Sequence, residues 1–389
     1  MAVFGIVSEF NPFHNGHRYL VEKARSAGAE AVVCVMSGNA VQRGELALVD
    51  KYERAKMALL SGVDLVLELP FPWCSASAEA FAACGVNIAS EYADTLIFGS
   101  ECGELEPLRN AARISSEDSF VEEYKNSLKG NKGAAETYFK MLSDKTGREY
   151  LSNDILGIEY IKAALRSNSK LSFMTVKREG SAYLSDNIED TVFQSASAIR
   201  ALVADGKTEE LSRYMPPSAA ELLLECADEK KLVSPDSLNT ALTLYFRLAD
   251  VEKLFDVAEL DEGLANRIKQ AALDCGDGGI MELLKTKRYT DSRLRRALLF
   301  ALTGVMTSDV KSFPAYTVLL GANAQGRELL AAKRKTAELP LVTKPSDIPD
   351  TSGAKRQREL SLALDSVFSL ALQKPTSLTT VAARSPIII

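Results

Sequence analysis

Over the first hundred residues, short apolar runs alternate with amphipathic segments. Ala2 to Val7 is apolar and partly β-branched, as in a strand covered on both faces. Ala31 to Met36 repeats the pattern. Asp64 to Leu69 is a third run, stopped by Pro70 and Pro72, and Thr95 to Phe98 a fourth, ended by Gly99. Between them the spacing predicts helices from about Arg18 to Ala27, over Asp50 to Leu60, and over the alanine-rich stretch Ser75 to Tyr92. This alternation implies an α/β fold, a parallel sheet with helices on both faces, whose ligands lie outside the carboxyl ends of the strands. The ends expected here are Glu9-Phe10-Asn11, Ser37-Gly38-Asn39, Pro70-Phe71 and Gly99-Ser100-Glu101.

Glu104 to about Tyr150 is charged and mostly helical, and reads as an insertion or lid (104–150). Ser152 is placed to cap a helix carrying Ile155, Leu156, Ile158, Tyr160 and Ile161. Leu171 to Lys177 reads as another strand with Arg178 at its end. Ser195 and Ser197 open a helix with Arg200 one turn in. Beyond Lys207 the periodicity is helical. Pro216-Pro217 starts one helix, Leu238 to Leu248 and Leu254 to Leu273 suggest two more, and Glu359 to Leu372 a last, with Leu339 to Pro349 extended. The expected organisation is a domain over 1–205 followed by a mainly α-helical C-terminal domain over 206–389. Ser385 to Ile389 receive no assignment.

Composition narrows the class. In 389 residues, 46% apolar and 25% charged content is ordinary for a globular protein. No run reaches the roughly 18 apolar residues of a membrane span. The first apolar run has no basic segment before it and is followed at once by Glu9, so it is not read as a secretory signal. Six cysteines without a Cys-x-x-Cys spacing fit a reducing, cytoplasmic setting and argue against structural zinc. The net charge of −6 is uneven: residues 285–335 hold eleven Lys or Arg against three acids, a net +8, leaving −14 elsewhere. Lys285, Lys287 and Arg288, with Arg293 and Arg296, fall at helical spacing, and Arg295 stands beside them. Such a window is either a solvated helix face or the footprint of a phosphate backbone.

The candidate chemistry lies at the first strand–helix turn. The chain has two histidines, His14 and His17, three apart around Gly16. A glycine lets backbone approach a ligand, and a helix start favours an anion. Two imidazoles there can hydrogen-bond phosphate oxygens and meet charge that grows on an attacked α-phosphate. A pair of structural histidines at a helix cap is the plainer alternative.

His14-Asn15-Gly16-His17 resembles the His-x-Gly-His signature of the nucleotidylyltransferase superfamily, and Ser195-Ala-Ser197-Ala-Ile-Arg200 is similar to its second motif. Glu9 to His17, Met36 to Glu45, Phe98 to Glu101, Asn153 to Tyr160 and Lys177-Arg178 together resemble the bacterial tRNA(Met) cytidine acetate ligase family, from residue 1 to about 200 and weakly to about 330. The resemblance implies a Rossmann-like nucleotidylyltransferase domain and a helical, tRNA-binding domain. It implies ATP bound by Val7, Ser8, Glu9, Phe10, Asn11, Pro12, Phe13, His14, Asn15, Gly16, His17, Arg18, Tyr19, Leu20, Gly99, Asn153, Arg178, Ser195, Ser197 and Arg200, with His14, His17 and Arg200 catalytic. Ser37, Gly38, Asn39, Gln42 and Arg43 are the candidates to line an acetate and cytidine pocket, and the basic window would take the tRNA. Asp154 stands where a second Asn is common, and Tyr316 to Gly321 where an Arg-Val-Leu-Gly type of segment is expected.

The implied activity is ATP-dependent ligation. Acetate would be activated as acetyl-adenylate, and the acetyl group passed to N4 of the wobble cytidine of elongator tRNA(Met). Mg²⁺ would accompany ATP without a dedicated protein cage, and neither DNA nor a membrane is an expected partner. Two rivals remain open: a small-molecule nucleotidylyltransferase, which has no need of the basic window, and a non-catalytic nucleotide-sensing RNA-binding protein, which has no need of both motifs.

Overall fold

The computed structural model describes residues 1–127, 134–178, 192–234, 236–276, 279–286 and 289–389. Five parallel strands form the frame: β1 (Val3–Ser8), β2 (Ala31–Ser37), β3 (Leu65–Leu69), β4 (Thr95–Ser100) and β5 (Ser172–Lys177), in the order β5-β4-β1-β2-β3. Side chains alternate along each strand. In β1, Val3 and Val7 pack with Val33, Val35, Leu67 and Phe81 on one face. Phe4 and Ile6 pack with Val32, Cys34, Met36, Tyr52 and Leu59 on the other. Both faces are therefore dry, which is why the runs are continuously apolar rather than alternating. Full burial of such a side chain is worth about 1.5–3 kcal/mol.

The strand order reverses between β1 and β4, which pair in parallel. One path leads outward through β2 and β3, the other through β5. The loops leaving β1 and β4 at their carboxyl ends therefore part from each other and leave a crevice.

The sheet also runs past the boundary expected near residue 205. β6 (Thr317–Ala322) pairs antiparallel with β3, and β7 (Leu341–Val342) and β8 (Ile387–Ile388) pair in parallel with β6. The second half is mainly helical but is joined to the first through one sheet. Six-residue and two-residue strands carry too little periodicity to stand out among helices. The divergent segment at Tyr316 is part of this joint: Tyr316 and Thr317 are buried, and Thr317 Oγ1 donates to the Glu68 carbonyl at 2.7 Å. It presents no surface to an RNA.

Several helices begin elsewhere than the spacing predicts. The first spans Asn15–Ser26, because the histidine turn itself makes the cap. Ser152 is not the cap of Ser152–Arg166; Leu151 is, and its N–H is taken by Asp154 at 3.3 Å. The stretch Leu254 to Leu273 divides into a short turn and the helix Glu262–Asp274, capped by Asp261. The late helix is longer, Ser352–Ala371. Residues 104–150 include the helices Leu105–Ser116, Asp118–Ser127 and Ala134–Thr146, with Phe120 and Leu142 in the main core. No helix among the described residues is long and apolar enough to cross a membrane. All six cysteines are free, and all but Cys102 are buried.

Candidate active site

The turn after β1 folds around its own histidines. Phe10, at φ 43°, turns the chain back in a conformation uncommon for a residue with a side chain. Phe10 and Phe13 are buried, and their rings stand 4.8 and 5.5 Å from that of His17, which fixes its plane. His14 is the N-cap of the helix Asn15–Ser26. Its Nδ1 accepts from Gly16 N–H at 3.1 Å, and His17 Nδ1 accepts from His14 N–H at 3.2 Å. The rings stack with centroids 3.7 Å apart.

This reciprocal cap sets the chemistry. Both Nδ1 atoms accept, so each neutral ring carries its proton on Nε2. Neither Nε2 has a protein partner among the described residues. Burial pushes the His14 pKa down to about 3, with the Arg178 charge adding to the effect. His17 is also held well below its ordinary value, by burial and then by His14 and Arg178. Two neutral N–H donors thus stand at the positive end of a helix, a suitable seat for phosphate oxygens. Asn11 adds to it. Its Oδ1 accepts from Leu48 N–H at 2.7 Å, while its buried Nδ2 has no partner.

The remaining implied ATP residues divide into those at the crevice and those that support it. Val7 is core, Ser8 Oγ accepts from Phe10 N–H, and Asn15 Nδ2 donates to the carbonyls of Val192 and Arg213. Tyr19 packs against Phe193, and Leu20 against the core. Arg18 is exposed, paired with Glu22 at 2.8 Å. It lines an outer groove of about 520 Å³ with Arg25, Leu60 and Pro217 that contains neither histidine.

Across the crevice, Gly99 lies against the Arg178 side chain, and Glu101 organises the wall. The Glu101 carboxylate takes the N–H groups of Asn153 and Asp154, both at 3.0 Å, together with the Asn153 side-chain amide, and stands 3.8 Å from Arg178. Asp154 is buried and accepts from Ser100 Oγ and Cys102 N–H. A carboxylate at that position clamps β4 to the helix, which accounts for Asp in place of Asn.

The helix Ala196–Ala204 supplies the third wall. Ser195 caps it at Ala198 N–H, 3.1 Å, and Ser197 is exposed in its first turn. Arg200 donates to the Asn11 carbonyl at 3.0 Å and pairs with Glu45 at 3.4 Å, which ties this helix to the end of β1.

The expected pocket segment is only partly on the crevice. Ser37 and Asn39 are buried. Asn39 accepts from Lys51 N–H and donates to Asp365, both at 2.9 Å. Behind Gly38 lies the Lys51–Glu68 pair at 2.8 Å, and the fully buried Arg54 guanidinium donates to the carbonyls of Glu9, Ser37, Gly38 and Val49. The Asn39 amide is thereby consumed and braces the pocket rather than lining it, whereas the buried Ser37 Oγ has no partner. Gln42 is held at both ends, its N–H on Glu9 and its side chain on the Ala76 carbonyl, and only the 42–45 turn remains beside Arg200. Burial pushes the Glu9 carboxyl up, opposed by that hydrogen bond and by Arg200 and Arg43.

The basic window divides. Arg296 is buried on Glu259 at 2.7 Å, and Arg293 is held by Glu259 and Asp261. Arg295 pairs with Glu45 at 2.9 Å, and Lys285 with Glu282 at 2.7 Å. Lys287 and Arg288 lie outside the described residues. Arg296 is structural, because its guanidinium is turned inward. Sequence reasoning passed over Arg54; it placed Glu101 at a ligand-bearing strand end and Glu45 in a candidate pocket segment, but gave neither an organising role. A fully buried arginine has no local signal, whereas Glu101 sits beside a motif glycine and was within reach.

The fold and site define a nucleotidylyltransferase, and comparison agrees: the HIGH Nucleotidyl Transferase family profile matches residues 1–381. Within that class the chain belongs to the tRNA(Met) cytidine acetate ligase family. It is 35% identical to the Acetivibrio thermocellus member, with 96% of each chain covered, and 37% identical to that of Caldanaerobacter subterraneus subsp. tengcongensis, covering 95% of this chain and 96% of the relative. Among solved structures, Thermotoga maritima TmcAL bound with alpha-thio ATP superposes over all of both chains with a TM-score of 0.90 at 31% identity. The apo form does so at 0.92 and 32%.

Proposed function

We propose that this chain is an ATP-dependent ligase that activates acetate as acetyl-adenylate and transfers the acetyl group to N4 of the wobble cytidine of elongator tRNA(Met), releasing AMP and pyrophosphate. The observation that carries the reading is the reciprocal histidine cap, which leaves two Nε2–H donors over a helix N-terminus at the β1/β4 switch point. These donors, with Ser197 and Arg200, take the triphosphate. Asn153 and Arg178 face the nucleoside side of the crevice. Mg²⁺ arrives with the triphosphate as part of the substrate; among the described residues no group of three His, Cys, Asp or Glu is placed to hold a metal.

A carboxylate is already ionised and needs no base. Its oxygen forms a bond to the α-phosphorus as the bond to the pyrophosphate oxygen breaks, and the histidine N–H groups meet the added charge. Cytidine N4 then bonds to the acetyl carbon, the bond from that carbon to the adenylate oxygen breaks, and the proton shed by N4 passes to solvent. The 42–45 turn borders the acyl group. The exposed cations of the second half, Lys285 among them, supply the RNA contact. The test is exchange of pyrophosphate into ATP. Exchange that requires acetate, followed by N4-acetylcytidine in digested tRNA, is the expected result. ATP binding without exchange, with or without unmodified tRNA, overturns it.

A further inference from the structure

Arg295 stands in the basic window, but the structure sets it at the crevice. Its Nη1 lies 2.9 Å from Glu45 Oε1, while Glu45 Oε2 lies 3.4 Å from Arg200 Nη2. One carboxylate thus spans two guanidinium groups, one from each half of the chain. Arg200 in turn donates to the Asn11 carbonyl at the end of β1.

The place of Glu45 is fixed from both sides. Gly44 N–H and Val41 N–H close the turn on the carbonyls of Val41 and Glu45, each at 2.9 Å, and Gln42 N–H anchors it to the Glu9 carboxylate. On the other side Gly44, at φ 79°, lies against the helix Asp291–Thr303: a Cβ there would come within 2.4 Å of Arg296 N and 2.8 Å of the Arg295 carbonyl carbon. Only glycine permits that approach. The buried Arg296–Glu259 pair holds the same helix turn from behind.

We propose that Glu45 and Arg295 are positioning residues for adenylation, a pair that aims Arg200 at the triphosphate, so that the second half of the chain completes the ATP site. Arg295 then serves the ATP step rather than the tRNA backbone. The inference rests on the ligase reading, and its test uses the reaction step that precedes tRNA.

The experiment is acetate-dependent pyrophosphate exchange in the full chain without tRNA, on wild type, Arg295→Gln, Arg295→Lys, Glu45→Gln and Glu45→Asp, with unfolding midpoints for each. Expected is a rise of about tenfold or more in KM for ATP, or an equal fall in kcat, for Arg295→Gln and Glu45→Gln at unchanged folded fraction, since small misplacements of a charged group are costly in rate. Arg295→Lys keeps the charge and recovers part of the loss. Exchange unchanged in Arg295→Gln while tRNA binding weakens overturns the proposal and returns Arg295 to the RNA surface. Loss of exchange only in proportion to unfolded protein, with no recovery by lysine, also overturns it. Absence of exchange in wild type would instead remove the ligase reading itself.

Discussion

Beyond the ends of β2 and β3, Arg54, Lys51, Glu68, Asn39 and Asp365 meet in a closed polar network. Beyond β1 and β4, the Nε2 atoms of both histidines have no protein partner among the described residues, and Asn11 Nδ2 is buried without one. Both regions sit at the carboxyl end of one sheet and use similar residue types. In the first, the charged and amide side chains are spent on one another and on backbone carbonyls, with the nearby buried Ser37 Oγ left unpaired. The second keeps two imidazole N–H donors available to a ligand, and the buried, unpaired Asn11 Nδ2 carries a desolvation cost of about 1–3 kcal/mol. A polar strand end is open to a ligand to the extent that its charged and ring N–H groups are not already spent on one another.

The sharpest way to break the contrast is Lys51→Ala, which leaves Glu68 buried without its cation. Urea unfolding should show a loss of about 3–5 kcal/mol, while exchange by the folded fraction persists. His14→Ala should do the reverse. Acetate-dependent exchange should fall by about 10²–10³, tRNA binding should stay near normal, and stability should drop by only about 1 kcal/mol through the lost cap. If His14→Ala abolished tRNA binding instead, the crevice would not be a dedicated nucleotide site.

Gly44→Ala, at the junction of the two regions, should cost about 1–3 kcal/mol of strain and slow exchange by moving Glu45. Unfolding and exchange on the same variant measure both. The histidines give a smaller, pH-dependent signal. The folded-state pKa of His14, about 3, lies below its ordinary 6.5, so the unfolded chain binds the extra proton between those values. Stability from this group is therefore present above about pH 6.5 and is lost as pH falls toward 3. Unfolding midpoints from pH 7 to 4 should fall less steeply in His14→Ala than in wild type. Smallest of all, Lys285→Ala should leave folding and exchange intact and reduce the salt slope of tRNA binding by about 0.9 or less; an unchanged slope would send the RNA track elsewhere.

Much of this was legible in the chain. The apolar runs at 2–7, 31–36, 64–69 and 95–98 each became a strand, because residues buried on both faces leave an unbroken signal. The histidine turn was legible because imidazole is so rare here. Arg200 was legible through its serine-led helix start. The 37–39 segment misled: its small polar residues resemble a ligand loop, and nothing nearby in sequence announces that Lys51 and Asp365 consume the Asn39 amide. Arg293, Arg295 and Arg296 misled in the same way, since helical spacing gives their angles but not the acids at 259, 261 and 45 that receive them.

The sequence by itself determined the α/β order of the first half, the helical character of the second, and the turn that holds the two imidazoles. These are local matters of apolar period, helix capping and residue chemistry. The tertiary structure alone decided that β6 and β8 extend the sheet, that Asp365 and Arg54 close one strand-end pocket, and that Glu45 joins arginines 95 residues apart in the chain. Each of these depends on which distant group satisfies a buried charge or an open sheet edge, and that is settled when the two halves pack.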